Sequence, residues 1–280
     1  MSEDCQKTDC AGCGVTGCGS RKGPEVLTQP NELSDVKHLI VVISGKGGVG
    51  KSMVTSLLSN AMRSAGKSTA IMDADITGPS IPRIYGIREQ AGSDGERVIP
   101  VMSEKGIRMM SINLLLDHET DPVVWRGAMI ASTVRQFWTE VLWGDVDYMF
   151  VDMPPGTGDV PLTVFQSLPV EGIVVVASPQ DLVSMIVAKA VRMAELMNKP
   201  ILGIVENMSG FKCPDCGKVH DIFGKSSIGE ISKAYGIDTV VRLPIDPAMA
   251  ALCDAGRGDE LETDEIKPIV DVLLALPERE

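Results

Sequence analysis

Eight residues, Gly45-Lys46-Gly47-Gly48-Val49-Gly50-Lys51-Ser52, constrain this chain more than any other stretch: they satisfy the pattern G-x-x-x-x-G-K-[ST] and lie between a strand pattern and a helix pattern. Before them, Leu39-Ile40-Val41-Val42-Ile43 is a β-branched run suited to a strand buried on both faces. After them, Val54, Leu57, Leu58 and Ala61 recur at helical spacing until Gly66 breaks the pattern. Glycines at these positions let backbone N–H groups close around phosphate oxygens, and the helix N-terminus adds partial positive charge. Nucleotide contacts are therefore expected from Gly45, Lys46, Gly47, Gly48, Val49, Gly50, Lys51, Ser52 and Met53. Lys51 is expected to reach the β- and γ-phosphates of ATP, with the Ser52 hydroxyl on Mg²⁺.

From residue 38 onward, strand-like runs at 39–44, 69–73, 147–152, 172–177, 201–205 and 239–243 alternate with helical patterns, clearest at 128–142 and 182–197. Such alternation predicts an α/β fold, a doubly wound and mostly parallel sheet with helices on both faces. Most of the Met and Trp residues fall on core positions of these patterns. Residues 1–37 are rich in glycine, cysteine and polar residues without sustained periodicity, so they are read as an extension, with one P-loop domain over 38–280.

Composition removes several function classes. The 280 residues carry 26 basic and 38 acidic side chains, a net charge of −12, which disfavours a broad footprint on nucleic acid or anionic lipid. Apolar runs are only strand-sized, and Met1-Ser2-Glu3-Asp4 lacks the pattern of a secretory leader; a cytoplasmic location is expected. The segment from Asp264 to Glu280 has an apolar stripe (Ile266, Ile269, Val270, Leu273, Leu274) without the basic face of a membrane-surface helix.

In a parallel sheet, functional residues gather at the C-terminal ends of strands. Asp73-Ala74-Asp75 leaves one such end: Asp75 is a candidate to orient or deprotonate the attacking water and Asp73 to support Mg²⁺ from behind, the competing reading being two turn-forming aspartates. Asp152, after Tyr148-Met149-Phe150-Val151, is placed where a carboxylate holds Mg²⁺ through water, and Gly156 is a candidate N–H donor to the γ-phosphate. Asn207, after Ile201–Val205, has an amide able to pair with a purine edge.

Seven cysteines with CxxC spacings point to metal or redox chemistry. Cys213-Pro214-Asp215-Cys216 puts two soft ligands on one tight turn; two copies of the turn complete a four-thiolate site, while Cys213, Cys216 and His220 have spacing that also suits zinc. The N-terminal Cys5, Cys10, Cys13 and Cys18 suffice for a second tetrathiolate site, which leaves a second cluster, zinc and an unliganded tail as open readings. Cys253 reads as a small core residue, and His38 and His118 lack matching partners in the sequence.

With Lys46 beside Lys51, the loop resembles the deviant Walker A of the ATPase class containing MinD, ParA, ArsA and the nitrogenase iron protein. The stretches DADITGPSIPRIYG, VDMPPGTGDVPLT, ILGIVENMSGFKCPDCG and LPIDPAM resemble the Mrp family of ATP-binding iron–sulfur cluster carriers, over about residues 38–260. One departure is Ala128 after Trp125-Arg126-Gly127, where the family has Pro. The resemblance implies a slow ATPase acting as a homodimer that sandwiches two nucleotides. Lys46 would reach the partner's phosphates, and Asp75 and Asp152 would lie in switch positions. Cys213 and Cys216 would bind a bridging 4Fe-4S cluster destined for recipient apoproteins, with scaffold proteins as further partners. The runner-up readings are a MinD- or ParA-like positioning ATPase and an ATP-driven metal-insertion factor for zinc or nickel.

Overall fold

A computed structural model describes residues 27–76, 78–116, 127–156, 158–179 and 183–278. In chain order the elements are β1 (Asp35–Ser44), α1 (Lys51–Ser64), β2 (Thr69–Asp73), α2 (Ile81–Ile84), β3 (Gly92–Ser93), β4 (Val98–Ile99), β5 (Val101–Met102) and β6 (Arg108–Met110). They continue with α3 (Gly127–Thr139), β7 (Asp145–Asp152), α4 (Asp159–Ser167), β8 (Gly172–Ala177), α5 (Val183–Leu196) and β9 (Ile201–Lys212). The chain closes with β10 (Val219–His220), α6 (Ile228–Ala234), β11 (Val240–Ile245), α7 (Pro247–Asp254) and α8 (Lys267–Leu274).

Nine strands form one sheet in the order β10-β9-β8-β1-β7-β2-β6-β5, with β11 also paired to β9. Every pairing among β1, β2, β6, β7, β8, β9 and β11 is parallel, and β5 and β10 add short antiparallel edges. Because side chains alternate along a strand, β1 sends Leu39, Val41 and Ile43 into one core and Ile40 and Val42 into the other. The first core is covered by α3, α4, α5 and α6, the second by α1, α2, α7 and α8. This is the doubly wound arrangement expected, and it brings the C-terminal ends of β1, β2, β7 and β8 to one edge, with Asp73 directly beside Asp152.

Some boundaries differ from the sequence reading, for physical reasons. The expected start of the domain at residue 38 falls inside β1, which begins at Asp35. The preceding turn is bonded to the domain: Asn31 Nδ2 donates to Val141 O at 2.6 Å and Trp138 Nε1 to Thr28 O at 2.7 Å. These ties are tertiary and leave no periodic signal. Strand β9 runs seven residues past the expected Val205, because the polar Glu206 and Asn207 remain in the ladder. The C-terminal stripe belongs to the core: Ile266, Ile269, Val270 and Leu273 are buried, while Leu274 is exposed. His38 does find partners, with Nδ1 2.7 Å from Glu171 Oε2 and its ring stacked on Tyr148 at 4.6 Å. Cys253 is half-buried, and burial pushes its thiol up from the ordinary range. His118, Trp125 and Arg126 lie outside the described residues, as do Cys5, Cys10, Cys13 and Cys18. Among the described residues no helix is long and apolar enough to cross a membrane.

Candidate functional site

The phosphate loop hangs between the last residue of β1 and the first turn of α1. Gly50 occupies the N-cap of α1 with φ +81°, a left-handed conformation that an L side chain resists, and a Cβ there would sit 2.2 Å from Asn207 Nδ2. At the loop's other end a Cβ on Gly45 would sit 2.2 Å from Ile186 Cγ2, so α5 packs directly on the loop backbone. Val49 is buried, Met53 half-buried against the same core, and Lys46 half-buried at the rim. Beside Lys46, a cavity of about 180 Å³ is lined by Ser44, Gly45, Gly156, Ile186 and Lys189 among others.

Asp152 is the hub of the site. It is fully buried at the end of β7; its Oδ2 accepts from Ser52 Oγ at 2.6 Å and pairs with Lys51 Nζ at 2.8 Å, and its Oδ1 accepts from Thr55 Oγ1 at 2.8 Å. The sequence pattern brought Lys51, Ser52 and Asp152 forward and missed Thr55. Thr55 lies one turn beyond the motif, on the same face as Lys51 and Ser52, and i,i+3/i,i+4 spacing is the signal that could have found it.

Asp73 faces Asp152 from β2 and is likewise fully buried. Its Oδ1 accepts from Asp75 N–H at 3.1 Å, and its Oδ2 accepts from Ser80 N–H at 3.1 Å, Ile81 N–H at 3.3 Å and Ser111 Oγ at 3.2 Å. The turn-forming reading of Asp73 is thus realised, since its carboxyl gathers the N–H groups of Asp75, Ser80 and Ile81 at the strand end. Burial, reinforced by the charge of Asp152, pushes this carboxyl up to about 7, against the opposing pull of Lys51. Asp75 also works in the turn, its Oδ1 accepting from Gly78 N–H at 3.2 Å. Gly156, at φ +93°, turns its N–H onto Ser44 O at 2.8 Å, which ties the loop after β7 to the start of the phosphate loop. Asn207 lies against the phosphate loop: Nδ2 donates to Val49 O at 2.9 Å and Oδ1 accepts from Met208 N–H at 2.9 Å, with the residue 3 % exposed.

Cys213 and Cys216 stand at the far end of β9, on the turn that leads into β10. The antiparallel pairs Lys212–Val219 and Phe211–His220 close the hairpin, Cys213 N–H donates to Lys218 O, and Gly217 N–H donates to Cys213 O, both at 2.9 Å. Both cysteines are free thiols, Cys216 exposed and Cys213 half-buried. The backbone N–H groups of Cys216 and Asp215, with the Cys216 side chain, hold the Cys213 thiol below its ordinary range, which favours the thiolate that binds soft metals. His220 does not join them: among the described residues no group of three His, Cys, Asp or Glu side chains is arranged to hold a metal ion, so the three-ligand zinc set is not assembled within one chain.

Comparison with known proteins gives a consistent result. Residues 35–276 match the family model described as ParA, NUBPL iron-transfer P-loop NTPase. The iron-sulfur cluster carrier protein of Methanocaldococcus jannaschii is 43 % identical over 228 residues, covering 80 % of this chain and 78 % of that protein. A solved structure of a nucleotide-binding protein from Archaeoglobus fulgidus in complex with ADP is 41 % identical, with a TM-score of 0.75 over 83 % of this chain and 91 % of that one. The MinD cell division protein of Aquifex aeolicus, 18 % identical, superposes with a TM-score of 0.57 over 87 % of this chain and all of that one, a likeness of fold alone.

Proposed function

This chain belongs to the ParA-type family of iron-transfer P-loop NTPases, and from that membership we propose that it is an iron–sulfur cluster carrier that hydrolyses ATP. One observation carries the reading: the strand that touches the phosphate loop through Asn207 ends in a hairpin presenting two free thiols. Two thiols per chain half-fill a four-thiolate site, and a second copy completes it by symmetry, so the cargo is a 4Fe-4S cluster bridging a homodimer through Cys213 and Cys216 of each subunit.

The buried oxygen set fits Mg²⁺. Ser52 Oγ and Asp152 Oδ2 are both hard donors, 2.6 Å apart at the loop, and a divalent ion suits a site holding two carboxylates and one lysine. Ser52 would hold the ion directly and Asp152 through water. Bound there, Mg²⁺ neutralises charge on the β- and γ-phosphates. Lys51, paired with Asp152 at 2.8 Å, would turn to the phosphates when they occupy the loop. Gly45 through Gly50 supply N–H groups, Lys46 extends toward the partner's nucleotide, and Asp75 orients the attacking water. Gly156 exchanges its bond to Ser44 O for the γ-phosphate, and Asn207, with Met53 nearby, borders the base. Cluster release to recipient apoproteins follows nucleotide state through the loops at Asp75 and Asp152. The N-terminal extension carries a second candidate metal site at Cys5, Cys10, Cys13 and Cys18. The positioning-ATPase reading loses its membrane helix, since the C-terminal stripe is used in the core.

Anaerobic purification with iron, sulfide and zinc analysis tests this reading. About four irons and four sulfides per dimer are expected, lost in Cys213→Ala/Cys216→Ala, with any iron left in that variant assigned to the N-terminal cysteines. Zinc alone, or no metal after reconstitution, would remove the carrier reading.

A further inference from the structure

Met208 carries a side chain at φ +59° inside β9, and apart from Asn198 in the turn after α5 it is the only non-glycine residue at positive φ among the described residues. That conformation is disfavoured for an unbranched L side chain, so surrounding bonds must hold it. The Asn207 amide does so while also gripping the phosphate loop: Oδ1 accepts from Met208 N–H and Nδ2 donates to Val49 O, both at 2.9 Å. Gly50, next in the loop, leaves no room for a Cβ between itself and that amide.

The sheet is irregular at the same point. The β9–β11 ladder is in register up to Asn207–Leu243 and resumes at Phe211–Ile245, so Met208, Ser209 and Gly210 stand opposite Pro244 alone. Proline offers no N–H to a ladder, which leaves this part of β9 fastened by Ser209 Oγ, donating to Leu243 O at 3.0 Å. Upstream, Ile204, Val205 and Glu206 are locked between β8 and β11. Downstream, Phe211 and Lys212 lead straight into Cys213. A strained residue thus separates a fixed strand from the hairpin that bears the thiols.

We propose that Asn207 and Met208 are positioning residues that set the thiol hairpin according to the state of the phosphate loop. A nucleoside triphosphate in the loop displaces the Val49 carbonyl and with it the Asn207 amide; Met208, no longer held, relaxes toward extended backbone and re-aims Cys213 and Cys216. Loss of the nucleotide restores the amide bridge and the left-handed turn. The inference rests on the reading of the loop as a nucleotide site and of the turn as the cargo site, and it adds a route between them that runs along one strand.

The test reads the thiols without any cluster. In the reduced full-length protein, N-ethylmaleimide alkylation of Cys213 and Cys216 is followed by peptide mass spectrometry with and without Mg·ATP, in the wild type and in Met208→Gly. The wild type is expected to show a nucleotide-dependent change in rate. Glycine is at ease in both conformations, so the variant still saturates with nucleotide by calorimetry, its affinity lowered only by the strain no longer relieved, while its nucleotide-dependent change shrinks about fivefold. A wild type whose alkylation ignores nucleotide, or a Met208→Gly protein that retains the full change, would overturn the proposal. A chain that holds no cluster would end the carrier reading and leave the alkylation result standing.

Discussion

The phosphate loop and the thiol hairpin lie along one strand, yet they are built on opposite terms. Around the loop three buried side chains gather the polar contacts: Asp152 binds Lys51, Ser52 and Thr55, Asp73 holds four donors, and Asn207 bridges to Val49. At the hairpin, two backbone hydrogen bonds and a two-residue strand hold an exposed turn. A site that must stabilise developing charge benefits from fixed dipoles in a dry setting. On the reading proposed above, the hairpin receives and surrenders a cluster, a task that needs reachable sulfurs and little else. The loop is therefore part of the fold, and the hairpin is an appendage of it.

Cutting into the loop should give the largest effect. In Asp152→Ala the buried Lys51 loses its counter-charge, and removal of one partner from such a pair costs about 3–5 kcal/mol. Urea unfolding is expected to show that loss, and ATP turnover to fall by at least about a hundredfold. A stable, active variant would show that the two regions are not so different. Next in size is Asn207→Ala, which leaves Val49 O without its buried donor and should cost about 1–3 kcal/mol in the same assay.

Asp73 offers a gentler probe, by pH. Its folded pKa of about 7 lies above the ordinary 3.8, so the folded chain keeps a proton that the unfolded chain sheds. The contribution of this carboxyl to stability is therefore greatest at low pH and declines as pH rises from about 4 through 7. Mg·nucleotide binding favours the ionised form, and calorimetry in buffers of different ionisation enthalpy should register release of about half a proton at pH 7 and almost none at pH 8.5. Asp73→Asn should abolish that difference. Retention of the proton release would assign it to another group.

The same contrast explains what was legible in the sequence. The loop could be read because its chemistry is local: fixed spacings of Gly45, Gly50, Lys51 and Ser52 between a strand run and a helix run already specify a phosphate cradle. The central strands could be read because burial on both faces demands continuous apolar runs such as Tyr148–Val151. Asn207 was found as a strand-end residue, but its partner was not, since a contact between residues 158 positions apart leaves no mark on either neighbourhood. Ser111, whose hydroxyl reaches Asp73 across 38 positions, was invisible for the same reason. Strands β5 and β6 escaped because two and three residues cannot display a period. The extension of β9 through a strained Met208 contradicts local preference outright, and such contradictions are where function is to be sought.

The smallest effect should come from the hairpin itself. Cys213→Ala/Cys216→Ala removes both sulfurs, and with them the contacts of Asp215 and Cys216 to the Cys213 thiol, but the turn keeps its backbone bonds: Cys213 N–H to Lys218 O and Gly217 N–H to Cys213 O survive the change. No core contact is lost at Cys216, which is exposed, and little at Cys213. Surface substitutions of this kind shift a midpoint by about 1–2 °C at most in a chain of this size. The cluster-free double variant should therefore melt with the cluster-free wild type and bind Mg·ADP with the same affinity, although its iron content falls to whatever the N-terminal cysteines retain. A melting point lowered by much more than that would mean the thiols support the fold and that the hairpin is more deeply built in than its bonds suggest. Equal melting with lost iron would place cargo binding wholly outside the folding energetics, which is the condition under which a carrier can load and unload without risking its own structure.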